Sequence, residues 1–225
     1  MNFQLTIWVL GVSFTAYFLI SIVFNRLGIN NLQSSLNIIN GLKLLNLKHV
    51  LGILLFGVLP FAVFPEMRQL VYSVGVFNLH VLVGFLLACF LCVFTACLAV
   101  GNNHKLNDID AVSFYQLSNA RGYFAIRFVF LLCYEFFFRG IVFFFFLESY
   151  GLTLSILYVT FFYVLIHAFD SKREMLGAIP FGVLLCVFSY YTGSIWYAFL
   201  LHMALSAVYE ISIFYHLTFK NQSTS

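Results

Sequence analysis

The sequence predicts an all-α protein, a polytopic bundle of about seven transmembrane helices with one or two short interfacial helices. Hydrophobic residues make up 63% of the 225 positions and charged residues only 8%, whereas about a quarter of the residues of a soluble domain are charged. Several apolar runs also reach the ~20 residues that a helix needs to cross the hydrocarbon core of a bilayer. So few charges cannot cover a water-soluble surface, so we expect the chain to lie in lipid.

Seven apolar runs follow one another along the chain, which we treat as a single integral membrane domain, 1–225. The first run follows an N-terminus without a basic stretch. It is too long for the apolar core of a cleavable signal peptide, so we expect it to be a spanning helix. The predicted spans are 4–24, 46–64, 77–100, 124–147, 152–169, 174–191 and 194–215.

Two polar stretches between the spans are expected to lie along the membrane surface. The stretch 25–46 is rich in Asn and Ser, with Leu and Ile at spacings that suit a short amphipathic helix. The stretch 101–122 carries Asp108 and Asp110 ahead of a mixed polar and apolar segment. Neither has the composition of a flexible interdomain linker.

Lysine and arginine fall mostly in alternate loops, which predicts the orientation, because loops rich in these residues stay on the cytoplasmic side. The even-numbered loops contain only Arg68. The odd-numbered loops and the C-terminal tail carry Arg26, Lys43, Lys48, Lys105, Arg121, Lys172, Arg173 and Lys220. We expect the N-terminus outside and the C-terminus in the cytoplasm.

Charge and cysteine content argue against two other kinds of site. The net charge of +3 is scattered, without the dense basic patch that nucleic-acid binding needs, so no nucleic-acid partner is expected. The five cysteines lie in apolar spans, where they behave as small hydrophobic residues. Cys89 and Cys92 form a CxxC without a second ligand pair, so no metal site is expected there.

Three predicted spans carry ionisable groups, which are costly in a bilayer unless they are paired or hydrated and therefore mark candidate functional sites. Glu135 and Arg139, in the fourth span, are four residues apart and can pair on one helix face. His167 ends the fifth span. In the seventh span His202 and Ser206 are again four apart and share a face.

A carboxylate and two imidazoles from separate helices fit two kinds of chemistry. One group could take a proton from water while hydrogen-bond donors stabilise the oxyanion of a tetrahedral intermediate. Glu135, His167 and His202 could instead hold zinc, since two His and one Glu form a common catalytic ligand set. The residues alone do not separate these options, and no other cofactor is expected.

The order and spacing of these residues resemble the CAAX-protease and bacteriocin-processing (CPBP, or Abi) intramembrane proteases, whose motifs are EExxxR, FxxxH and HxxxN/D on successive helices. The corresponding segments here are Tyr134-Glu135 with Arg139, Tyr163 with His167, and His202 with Ser206. The family-like core would cover about 121–215, with the strongest likeness in Phe181 to Ser206.

The resemblance implies a glutamic-type intramembrane endopeptidase acting on a membrane-associated peptide or protein in the bacterial cell (inner) membrane. By that resemblance His167 would activate water, His202 and Ser206 would stabilise the oxyanion, and Arg139 would be the structural partner of the acidic pair. Three positions depart from the motifs. Tyr134 stands where the family has its first Glu, Tyr163 replaces Phe, and Ser206 replaces Asn or Asp.

Adjacent residues of a helix point about 100° apart, so Glu135 is not expected simply to take over the position of the missing Glu. Glu210 and Asp170 are therefore alternative bases, or else charges at the membrane interface. Three functions follow: an active endopeptidase; a catalytically inactive relative that serves in membrane binding, immunity or assembly, which Tyr134 favours; and, last, a small transporter.

Overall fold

The computed structural model describes residues 3–101, 117–169 and 172–215. Within these ranges the chain forms helices and turns, without a β-strand. In the first half the elements are α1 (Phe3–Arg26), α2 (Leu32–Leu36), α3 (Gly41–Ile53), a π-helical segment (Leu54–Val58), α4 (Leu59–Val63), a 3₁₀ turn (Pro65–Arg68), α5 (Gln69–Tyr72) and α6 (Leu79–Gly101). In the second half they are α7 (Leu117–Glu135), a π-helical segment (Phe136–Val142), α8 (Phe143–Ile166), a 3₁₀ turn (His167–Phe169), α9 (Lys172–Thr192) and α10 (Trp196–Tyr215).

Within the described ranges six helices are long and apolar enough to cross a membrane, and one of them is long enough to cross it twice. The helix Ala120–Phe169 has 50 residues, about 75 Å at ~1.5 Å per residue, against a hydrocarbon core of about 30 Å. Gly151 interrupts it with φ 75° and ψ 177°, a conformation open to glycine because it lacks a Cβ atom. The chain therefore turns at Gly151, between the predicted fourth and fifth spans, and the predicted all-α bundle of about seven spans is confirmed.

The fourth span lies at the centre of the bundle. Of its most apolar window 72% is buried within the protein, against 17% to 44% for the other helices. All residues from 134 to 143 are buried. The phenylalanine run Phe136 to Phe138 is 3%, 1% and 0% exposed, so these rings belong to the core and do not face lipid.

The predicted interfacial stretch 25–46 contains a short helix, α2. Asn31 caps it by accepting a hydrogen bond from the Ser34 amide at 3.0 Å, the usual role of Asn before a helix. Leu32 and Leu36 are buried in a cluster with Ile213 and Phe214 of α10, so the apolar face of α2 packs on the protein. Most of the second stretch, including Asp108 and Asp110, lies outside the described residues.

Candidate active site

Glu135 is the last residue of α7 and is completely buried. Its Oε1 lies 2.5 Å from Nδ1 of His202 on α10, and its Oε2 lies 3.2 Å from Nη1 of Arg139. A carboxylate inside a membrane protein is tolerated when it is paired in this way. The predicted pair of Glu135 with Arg139 is present, and the same carboxylate also reaches the histidine of a distant helix.

Arg139 lies in the π-helical segment that follows Glu135 and has no exposed surface. Its guanidinium carbon is 4.1 Å from the ring centroid of Tyr163, which is cation–π geometry. Among the described residues its three side-chain nitrogens make no hydrogen bond of good geometry, although the thiol of Cys186 is near enough to interact with the guanidinium. Such π-helical segments inside α-helices often mark functional sites.

Tyr163 lies near both histidines of the predicted site. Its ring centroid is 4.7 Å from that of His167 and 6.3 Å from that of His202. His167 opens the 3₁₀ turn at the end of α8 and is half-buried, and it interacts electrostatically with Glu135. The structure therefore brings Glu135, Arg139, His167 and His202 together around the ring of Tyr163.

Tyr134 packs beside the same site, with its ring 5.9 Å from His202 and 5.8 Å from Tyr163. It is 3% exposed, and its hydroxyl has no hydrogen-bond partner in the part of the chain that the structure describes. Adjacent residues of a helix project about 100° apart. Because α10 packs against both Tyr134 and Glu135, however, each of the two neighbours contacts His202.

Ser206 lies one turn beyond His202 on α10 and is 9% exposed. Its position on the same helix face as His202 follows from the four-residue spacing.

Glu210, a candidate base or interfacial charge on sequence grounds, is neither exposed nor available. It is 8% exposed. Its Oε1 accepts from Nε of Arg127 at 2.9 Å, and its Oε2 accepts from the Tyr123 hydroxyl at 2.9 Å. The residue forms a buried ion pair between α7 and α10, so its carboxylate is not free to act as a base. The other candidate base, Asp170, lies outside the described residues.

Sequence reasoning missed Arg127 and Tyr123. The signal was present, since Arg127 is an arginine inside a predicted span, and such a residue marks a paired or hydrated position by default. Its partner could not be named from spacing, because Glu210 lies 83 residues further along the chain.

Among the described residues, no three side chains of His, Cys, Asp or Glu are grouped closely enough to hold a metal ion. Glu135 shares its two oxygens between a cation and an imidazole. The geometry therefore gives no support to zinc bound by Glu135, His167 and His202.

Residues 118–208 match the family model of Rce1-like proteins, described as type II CAAX prenyl endopeptidase Rce1-like. The chain carries an Rce1-like segment. This segment spans α7 to α10, and thus every residue of the site around Tyr163. Over this segment the match agrees with the CAAX-protease resemblance of the sequence motifs. No curated protein and no solved structure matches the chain.

Proposed function

We propose that this Rce1-like membrane protein is an endopeptidase that hydrolyses a peptide bond of a membrane-associated peptide or protein, near the membrane surface. The observation that carries the proposal is the 2.5 Å contact between Glu135 Oε1 and His202 Nδ1. A buried carboxylate that orients an imidazole is a recurring device for making the other ring nitrogen a base.

The contact supports an assignment of the proton to one nitrogen of His202. An ionised carboxylate only accepts hydrogen bonds, and the adjacent Arg139 favours the ionised form of Glu135. Nδ1 is therefore the donor to Glu135, and Nε2 presents a lone pair. In this arrangement His202 takes the part of general base, which differs from the oxyanion role that the resemblance implies for it.

The reaction follows from these positions. Nε2 of His202 takes a proton from water while the water oxygen bonds to the carbonyl carbon of the scissile peptide. His167 and the Tyr134 hydroxyl donate hydrogen bonds to the resulting oxyanion. Collapse of the intermediate breaks the C–N bond, and the proton on His202 passes to the leaving amine. Arg139 holds Glu135 in place, and Ser206 lies one turn from the base.

The test is hydrolysis of a panel of membrane-anchored peptides by the purified protein in liposomes, with and without a chelator. We expect cleavage by the unaltered protein, and loss of cleavage in Glu135→Gln, His202→Gln and His167→Ala. His80→Ala is the matched control, since His80 is exposed at the start of α6. Cleavage that survives in His202→Gln would overturn the role given to His202, and chelator sensitivity would assign the reaction to a metal.

A catalytically inactive relative is the second candidate, and Tyr134 is the observation that favours it. The family motif has a glutamate at this position, while here an aromatic ring packs against Phe130 and Phe138. Such a protein would act by binding a membrane peptide or partner, in immunity or assembly. Folded protein that cleaves no peptide, and gains cleavage as Tyr134→Glu, would establish this alternative.

Three further parts of the proposal concern the setting of the site. The membrane would be the bacterial cell (inner) membrane, with the N-terminus outside and the C-terminus in the cytoplasm. The chain would form one domain over 1–225 with its family-like core at 121–215. Cysteine labelling from each side of intact cells, at introduced positions in the terminal segments, tests the orientation.

A further inference from the structure

A second ion pair joins the two helices that carry Glu135 and His202. Nε and Nη2 of Arg127, on α7, both lie 2.9 Å from Oε1 of Glu210, on α10. The Tyr123 hydroxyl donates to Oε2 of the same carboxylate at 2.9 Å. The side chains of Arg127 and Glu210 are only 17% and 10% exposed, so the contact lies within the protein.

The two contacts have matching spacings on the two helices. Arg127 precedes Glu135 by eight residues, and Glu210 follows His202 by eight residues. At ~1.5 Å per residue, the contacts are therefore about 12 Å apart along each helix axis. The earlier residue of α7 meets the later residue of α10, so the helices run antiparallel. The charges are also reversed, since α7 supplies the carboxylate at one contact and the cation at the other.

Three polar contacts hold the carboxylate of Glu210, two from Arg127 and one from Tyr123. An arginine that presents two nitrogens to a carboxylate is held by a planar fork, and Tyr123 holds the other oxygen. Elsewhere α10 packs through Ala198 and Leu201 against apolar side chains of α6 and α9. At the start of α10, Trp196 and Tyr197 donate hydrogen bonds to the carbonyls of Val71 and Val76, which do not belong to α7. Apolar packing is not directional, so the Arg127–Glu210 ion pair is the contact suited to setting how far α10 slides along α7.

We propose that Arg127 and Glu210, oriented by Tyr123, are positioning residues that hold His202 against Glu135. The catalytic consequence rests on the endopeptidase function proposed above, whereas the structural coupling does not. Neither residue touches the reacting atoms. Loss of the ion pair lets α10 shift axially, which lengthens the Glu135–His202 contact and weakens the base.

The direct test is imidazole ¹⁵N spectroscopy of the full chain in lipid, with the His202 signal assigned by its loss in His202→Gln. In the unaltered protein we expect the signature of Nδ1–H bound to a carboxylate. Glu210→Gln should move the His202 signal toward that of Glu135→Gln. Arg127→Lys keeps the charge but loses the fork, so it should give an intermediate shift. Ser212→Ala is the matched control, because the Ser212 hydroxyl donates to the carbonyl of Val208 on its own helix at 2.7 Å and takes no part in the ion pair.

A His202 signal that stays unchanged in folded Glu210→Gln protein would overturn the proposal. Should that variant fail to fold, Arg127→Lys and Tyr123→Phe make the same measurement, and unchanged signals in both would overturn it equally. In the cleavage assay kcat should fall about 10- to 100-fold with KM unchanged, as for a misplaced base. If no variant cleaves, the spectroscopic shift still decides the positioning role, so the failures of the two proposals are distinguishable.

Discussion

The guanidinium of Arg139 lies over the ring of Tyr163, 4.1 Å from its centroid, and the two residues are contributed by the two arms of one 50-residue helix that turns at Gly151. The same ring touches His167 at its other edge. The ring of Tyr163 therefore lies close to the cation and to both histidines of the site.

Two substitutions of Tyr163 distinguish the contribution of its ring from that of its hydroxyl. Tyr163→Phe keeps the stacking surface and should leave both the melting temperature and cleavage nearly unchanged. Tyr163→Leu removes the π face under a desolvated cation, a loss of about 2 kcal/mol, and should lower the melting temperature and cleavage together. Thermal unfolding in detergent alongside the peptide assay measures both. Equal behaviour of the two variants would contradict this contribution of the ring.

Removing the charge of Glu135 should destabilise the fold through Arg139. Glu135→Gln leaves a fully buried guanidinium without its counter-charge, a change that typically costs about 3–5 kcal/mol. In Glu135→Gln with Arg139→Met no buried charge remains, so stability should return while cleavage does not. Unfolding titrations in mixed micelles give the free energies. A double variant no more stable than the single variant would refute this account of the pair.

The Tyr134 hydroxyl is buried without a partner, so its removal tests chemistry with little effect on packing. Tyr134→Phe keeps the ring and should leave the free energy of unfolding equal or slightly higher, because an unsatisfied polar group is lost. If the hydroxyl donates to the oxyanion, kcat should fall by about 100-fold. Steady-state kinetics on a cleaved peptide provide the measurement, and an unchanged kcat would remove Tyr134 from the mechanism.

Gly52 permits the close approach of α3 to α7. A Cβ atom at this position would lie 2.3 Å from Cε2 of Phe130, whereas at Gly84 on α6 nothing lies within 4 Å. Gly52→Ala should destabilise the protein by about 1–3 kcal/mol through overpacking. Gly84→Ala serves as its matched control and should be neutral or slightly stabilising, since alanine favours a helix. Similar unfolding midpoints for the two variants would contradict this packing.

The fold was largely predictable because the bilayer allows few solutions. A helix satisfies its own backbone hydrogen bonds, so length and hydropathy alone located the spans, and even the turn at Gly151 fell between predicted spans. The predicted second span began at 46, while the helix begins at Gly41. The polar residues Lys43, Asn46 and Lys48 concealed this start, because hydropathy counts side chains and not their partners within the protein.

The contacts of the site were less predictable, because adjacent residues such as Tyr134 and Glu135 both pack against protein. Successive residues of an α-helix are rotated by about 100°, so a helix at the edge of a bundle has one face toward the protein and another toward lipid. Around residues 134–143 no face meets lipid, so neighbours that point apart both meet protein. Sequence spacing gave the local pair of Glu135 with Arg139. Sequence spacing could not give the contact of Glu135 with His202, because these residues are 67 positions apart and meet only through the packing of α7 against α10.

The central position of the fourth span also bears on how the protein is made. During synthesis Glu135 and Arg139 enter the membrane before His202, which lies 67 residues further along the chain than Glu135. Until α10 is inserted, neutralisation of the Glu135 carboxylate must therefore come from its neighbour one turn away. We expect membrane insertion of nascent chains to be impaired by Arg139→Met and unaffected by His202→Ala. Arg139 would then act at two stages. It would first neutralise Glu135 during membrane insertion, and it would later pair with Glu135 in the folded site.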